Sequence, residues 1–90
     1  MSSLEGKIKA GAKIIDVRTT EEFRDEHYPS AFNIPVDQIR QRLTEFGEKS
    51  TPIVVYCASG SRSAFAARML KSAGYTDVIN AGGLEDMPGN

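Results

Sequence analysis

The chain has 90 residues, of which 40% are hydrophobic and 26% charged, and its formal net charge is −1. That balance describes an ordinary folded globule, near the lower size limit for a core without staples, and excludes a disordered tail. With no basic stripe and no apolar run near the ~20 residues that cross a bilayer, neither nucleic acid nor membrane is an expected partner. The chain holds one cysteine and one histidine. An internal disulfide is therefore impossible, and a lone Cys with a lone His makes no zinc site, so no metal or other cofactor is expected. The opening "MSSLEGKIKAG" has neither an apolar h-region nor a cleavage site, which points to the cytoplasm; the periplasm is the alternative if a signal peptide has been removed.

The first element is "AKIIDVR" (12–18), a short apolar run with a polar end that reads as a buried strand. Thr19 and Glu22 have the spacing of a capping box, which predicts a short helix over about 20–26, stopped by Pro29. "AFNIP" (31–35) reads as a second short strand. In "VDQIRQRLTEFG", Val36, Ile39, Leu43 and Phe46 recur at helical spacing, which predicts an amphipathic helix ended by Gly47. "PIVVYC" (52–57) is apolar nearly throughout and suits a central strand covered on both faces. A helix from about Ser61 to Ala73 ends at Gly74, and "TDVINAGG" (76–83) offers a last strand with a glycine turn. Alternating strands and helices give an α/β class with a mainly parallel sheet in three layers, and one domain fills residues 1–90.

The chemistry concentrates where the central strand meets the following helix. Composition alone favours Cys57 as a buried small hydrophobe. Its position reverses that, because ligands of parallel α/β sheets sit at the carboxyl ends of strands. Ala58, Ser59, Gly60 and Ser61 let the backbone curl so that successive N–H groups point inward as an anion nest. The helix start adds its positive end, and Arg62 adds a full charge. Such surroundings favour a thiolate and make a nucleophile. No His or Asp base neighbours it in sequence, and His27, beside the Pro29 turn, reads as structural. A baseless thiolate suits a target with a good leaving group, such as a sulfane sulfur, and the nest would stabilise the persulfide formed on Cys57.

Three pieces of sequence carry a resemblance: "IIDVRTTEEFRDEHYPSAFNIP", "IVVYCASGSRSAFAARML" and "AGYTDVINAGGLEDM". From about Leu4 to Met87 the chain resembles the single-domain rhodaneses, the thiosulfate sulfurtransferase family, and especially small bacterial stress-associated members. The resemblance implies an α/β three-layer fold on a parallel sheet of about five strands. It also implies Cys57 as the persulfide-bearing catalytic residue, with Ala58, Ser59, Gly60, Ser61 and Arg62 forming the substrate loop. The partners implied are small-molecule sulfur donors and acceptors, with a thiol protein as a further acceptor.

Several positions depart from the family pattern. Ala58 stands where many members carry a basic residue, which implies weak thiosulfate activity. Ser30 replaces the glycine of the "H-x-P-G-A" stretch, and Leu84 replaces a common tryptophan. The loop ends in Arg62 rather than the threonine of mercaptopyruvate enzymes, so thiosulfate or a polysulfide is the expected donor.

Other residues have two readings each. Asp16 either bonds into the loop or pairs with Arg18 as a strand-end cap. Ser59, Ser61 and Ser63 are hydroxyl donors to a sulfonate or simply helix starters, with Ser61 the expected cap. Gly82 and Gly83 mark a turn of positive φ, and the facing of Tyr56 is open. Three rival functions follow from the same residues. Cys-based phosphatases share the cysteine, nest and arginine, but their loops are a residue longer than the four residues found here. A binding module or persulfide carrier would keep the fold and serve a protein. A thiol oxidoreductase would need a second cysteine.

Overall fold

The hydrophobic run Ile53–Cys57 forms a strand that is buried at every position. The computed structural model describes residues 3–89, so the outermost residues of the expected 1–90 domain, Met1, Ser2 and Asn90, lie outside the described residues. The elements in chain order are α1 (Leu4–Lys9), β1 (Lys13–Asp16), α2 (Thr20–Asp25), β2 (Phe32–Asn33), two 3₁₀ segments at Val36–Gln38 and Arg40–Phe46, β3 (Ile53–Cys57), α3 (Ser61–Ser72), β4 (Val78–Gly83) and a final 3₁₀ turn at Leu84–Asp86. The described strands form one four-stranded parallel sheet in the order β2-β1-β3-β4. The fold class is the expected one, with four described strands where about five were expected. The N-terminal stretch supplies α1, capped by Ser3 accepting the Gly6 N–H at 3.0 Å, which has no counterpart among the elements read from sequence.

Strand alternation sorts the core into two faces. Ile15, Val17, Ile53, Val55 and Cys57 pack with Ile39, Phe46, Ala66 and Leu70 under α3. Ile14, Val54 and Tyr56 pack on the other face with Leu84 and Met87, against Leu4 and Ile8 of α1. That settles Tyr56, which faces α1 and accepts the Tyr28 N–H on its hydroxyl at 2.9 Å. Leu84, standing where a tryptophan is common, is a core residue of the same face.

The amphipathic helix expected over 36–46 is instead two short 3₁₀ segments with a kink at Arg42 (φ −119°, ψ 27°). The apolar side chains are inward as expected, with Ile39 and Phe46 fully buried. An i,i+3 step fits a three-residue turn as well as a 3.6-residue one, so hydrophobic spacing does not separate the two. Ser30 takes φ 71°, the left-handed region where glycine is free of strain, which explains why a glycine suits that position.

Candidate active site

Cys57 is the last residue of β3 and has no exposed surface. The chain then reverses through Ala58, Ser59 and Gly60 and enters α3. Gly60 makes the reversal at φ 105°, ψ −14°, and serves as the α3 N-cap with no side-chain oxygen to offer. Ser61 is thus the first helical residue and not the expected cap, because the reversal needs positive φ at the cap position. The missing cap oxygen is replaced by sulfur. Cys57 Sγ accepts the Gly60 N–H at 2.9 Å and the Ser63 N–H at 3.4 Å, the latter being a helix-start donor that a serine or aspartate would ordinarily satisfy.

Ser63 contributes more than its N–H. Its Oγ lies 3.4 Å from Sγ, so the hydroxyl donates to a thiolate and accepts from a thiol. The same Oγ lies 2.6 Å from Asn80 Oδ1, which receives the one hydroxyl proton while Cys57 is a thiol donating to Oγ. Asn80 is fixed in turn, accepting the Gly82 N–H at 3.0 Å and donating through Nδ2 to Gly60 O at 3.3 Å. A bulge in β4 places it there: Val55 pairs with Asn80 and Tyr56 with Gly82, so Ala81 is the extra residue. Ser63 therefore faces the sulfur rather than a sulfonate. Its place three residues after Gly60 was the sequence signal for this role; the Asn80 contact crosses from another strand and left none.

Burial pushes the Cys57 thiol up, but hydrogen bonds from the Ser63 hydroxyl and from the N–H groups of Ser63, Gly60 and Ser59 outweigh it and hold the thiol below its ordinary value. Arg62 plays a lesser part than its position suggests. Its Nη1 and Nη2 donate to Glu22 Oε1 and Oε2 at 2.8 and 3.1 Å. Titration of thiolate absorbance should thus show a midpoint below the ~8.5 of a free thiol. Ser63→Ala should raise that midpoint more than Arg62→Ala does. The reverse order would mean that the guanidinium, not the nest, holds the thiolate.

The remaining candidates lie around this loop without entering it. Asp16 is fully buried and takes the Arg18 guanidinium on Oδ1 and Oδ2 at 2.8–3.1 Å, so the strand-end ion pair is what forms. His27 Nδ1 donates to Phe23 O at 2.8 Å, and its ring stacks on Phe23 at 3.8 Å, as a structural residue would. Among the described residues no group of three or more His, Cys, Asp or Glu could hold a metal ion. No described helix is long and apolar enough to cross a membrane. A groove of about 470 Å³ lies between Ile39, Leu43, Phe65 and Met69, and no loop residue lines it.

A parallel sheet with a nested cysteine sulfur at the carboxyl end of a central strand defines an α/β protein whose candidate site is built on one cysteine. The chain belongs to the rhodanese family: the model of the rhodanese-like domain matches residues 1–87. It is 42% identical over 74 residues to the thiosulfate sulfurtransferase PspE of Escherichia coli, covering 81% of this chain and 71% of that protein. It is 39% identical over 77 residues to the putative sulfur carrier protein YrkF of Bacillus subtilis, covering 84% of this chain but only 41% of that one. Among solved structures, a rhodanese with anions from E. coli superposes with a TM-score of 0.82 at 39% identity, over 87% of this chain and 93% of that one. The human single-domain sulfurtransferase TSTD1 superposes at 0.84 and 28% identity, over 92% and 87%.

Proposed function

We propose that the protein is a sulfurtransferase that moves a sulfane sulfur from thiosulfate or a polysulfide to a thiophilic acceptor through a persulfide on Cys57. The Cys57 thiolate bonds to the outer sulfur of thiosulfate as the donor S–S bond breaks and its electron pair leaves on sulfite. Cyanide or a thiolate then takes that sulfur and returns Cys57 to the thiolate. The observation that carries this reading is the sulfur nested by the Gly60 and Ser63 N–H groups with the Ser63 hydroxyl beside it. A persulfide adds one S–S bond, about 2 Å, and moves the negative sulfur outward from the floor of the nest. Ala58 through Arg62 form the substrate loop in this reading.

The family relationship and the names of both relatives agree with sulfur transfer. The carrier reading, in which the acceptor is a thiol on a protein partner, uses the same persulfide and is favoured by the likeness to the YrkF protein. Phosphate ester chemistry fits less well, since the loop places four residues between Cys57 and Arg62, one fewer than the loops of Cys-based phosphatases. Intact mass spectrometry is the direct test. Thiosulfate or polysulfide should add the mass of one sulfur atom, cyanide should remove it, and the two donors are ranked together. No adduct with either donor would end the proposal.

Position 58 offers a test of donor preference. Ala58 is exposed. Ala58→Arg sets an unpaired cation beside the incoming sulfonate, and one charge-assisted hydrogen bond is worth about 1.5–3 kcal/mol where water is partly excluded. With exposure discounted, the thiosulfate KM should fall about tenfold, less at high salt. An unchanged KM at low salt would move the origin of donor preference to loop shape.

A further inference from the structure

The charges around the nest are paired off, and the pairing has consequences for the donor. Arg62, at the second position of α3, is held bidentate by Glu22, with both side chains about one-third exposed, 34% and 35%. Glu22 cannot easily swing away. Its Oε1 also accepts the Thr19 N–H at 3.0 Å and the Thr19 hydroxyl at 3.2 Å, closing the capping box that starts α2. The bond to Arg62 and the Thr19 N–H bring its carboxyl down to about 2, so it stays charged at any working pH. Arg18, the other guanidinium on this edge, is consumed by Asp16. Ala58 adds no charge, and Asp86, whose Oδ2 accepts the Gly83 N–H at 2.8 Å, adds a negative one. Once Cys57 is ionised, these pairs together with Asp86 sum to a negative charge, and the backbone N–H groups and hydroxyls of the nest are left to receive an anion beside a neutralised Arg62.

We propose that Glu22 is a specificity-determining residue: by neutralising Arg62 it tunes the nest to sulfur donors with at most one negative charge, such as hydropersulfides and thiosulfonates, over the thiosulfate dianion. The inference rests on the sulfur-transfer reading and deepens it. The chemistry is common to these donors. Cys57 sulfur bonds to the sulfane sulfur, the donor bond to that sulfur breaks, and its electron pair leaves on sulfite, a sulfinate or a thiolate. Only the charge brought to the thiolate differs, and in the effective dielectric of a protein surface each added charge repels several-fold more strongly than in water.

The test is Glu22→Gln in the full chain, assayed with thiosulfate and with benzenethiosulfonate, which deliver the same sulfur with two charges and one. Glutamine keeps the capping box, so the thermal midpoint serves as the folding control. The thiosulfate kcat/KM should rise about tenfold, the order of one charge-assisted hydrogen bond at a half-exposed site, and the benzenethiosulfonate value by no more than about threefold. In an Arg62→Gln background the gain should be smaller, because no guanidinium is released; an equal gain there overturns the assignment to the pair. A second measurement needs no variant: on the unaltered chain, the thiosulfate kcat/KM should rise with ionic strength as repulsion is screened, and a fall overturns the proposal. An unchanged donor ratio in Glu22→Gln at low salt, with both donors still loading Cys57, also overturns it. Failure of both donors to load Cys57 would instead strike the sulfur-transfer reading itself.

Discussion

Cys57→Ser is expected to abolish both the sulfur adduct and turnover, by at least about three orders of magnitude, the scale met when a nucleophile is removed from a catalytic unit. A serine hydroxyl ionises far above neutral pH and attacks only with a base beside it. The chain's one histidine is not such a base, since His27 is bonded to Phe23 O and stacked on the Phe23 ring. Ser63 supplies a hydroxyl, not a proton sink, and Asn80 beyond it cannot take a proton either. The nest itself should survive, because oxygen accepts the Gly60 and Ser63 N–H groups at least as well as sulfur does. The variant should therefore fold with an unchanged thermal midpoint and fail only in chemistry. A mass adduct or residual turnover on Cys57→Ser would mean that another group carries the sulfur.

Gly83→Ala is expected to cost roughly a hundredfold in activity without touching any group that reacts. A Cβ at Gly83 would stand 2.2 Å from Ala58 O and 3.0 Å from its carbonyl carbon, both backbone atoms that no rotamer change can move. The backbone there is extended, φ −99°, ψ 170°, so glycine is required by the close approach of two chains and not by its own conformation. Gly82, at φ 94°, is the one that supplies the positive φ expected of this pair. Relieving the clash pushes Ala58 away and carries Ser59 and Gly60, with their N–H groups, off the sulfur. A displacement of about 1 Å at a reacting centre costs roughly a hundredfold in rate, and overpacking of this kind costs about 1–3 kcal/mol in stability. Activity of purified Gly83→Ala should fall by that factor while the thermal midpoint drops by several degrees. Activity within about threefold of the unaltered chain would show that β4 does not hold the loop in place.

Charge was the feature that sequence reading placed least well. Arg62 follows the loop directly, so proximity along the chain made it a free cation beside Cys57. In the folded chain it belongs to Glu22, forty residues earlier. Both residues were visible in the sequence, Glu22 as the far half of a capping box, yet nothing in a linear pattern says that a cap residue will also meet the start of another helix.

The sequence by itself determined the α/β class, the strands within 12–18 and 52–57, the Thr19–Glu22 box and the helix from about 61 to 73, observed at 13–16, 53–57 and 61–72, because these rest on local rules. Burial period, capping spacing and the need for small residues in a tight reversal are all decided within a few neighbouring residues. It also determined that the one thiol ends a buried strand ahead of a helix, which is enough to bring the nest N–H groups to it. Tertiary structure alone decided what surrounds that sulfur from elsewhere. It decided that Asn80 reaches Ser63 across a β4 bulge, that Gly83 lies against Ala58, that Glu22 takes Arg62, and that 36–46 winds as 3₁₀ turns. These depend on which strand lies beside which and on the register between them. Contacts between residues far apart in the chain form only when the sheet is assembled, so no local pattern encodes them.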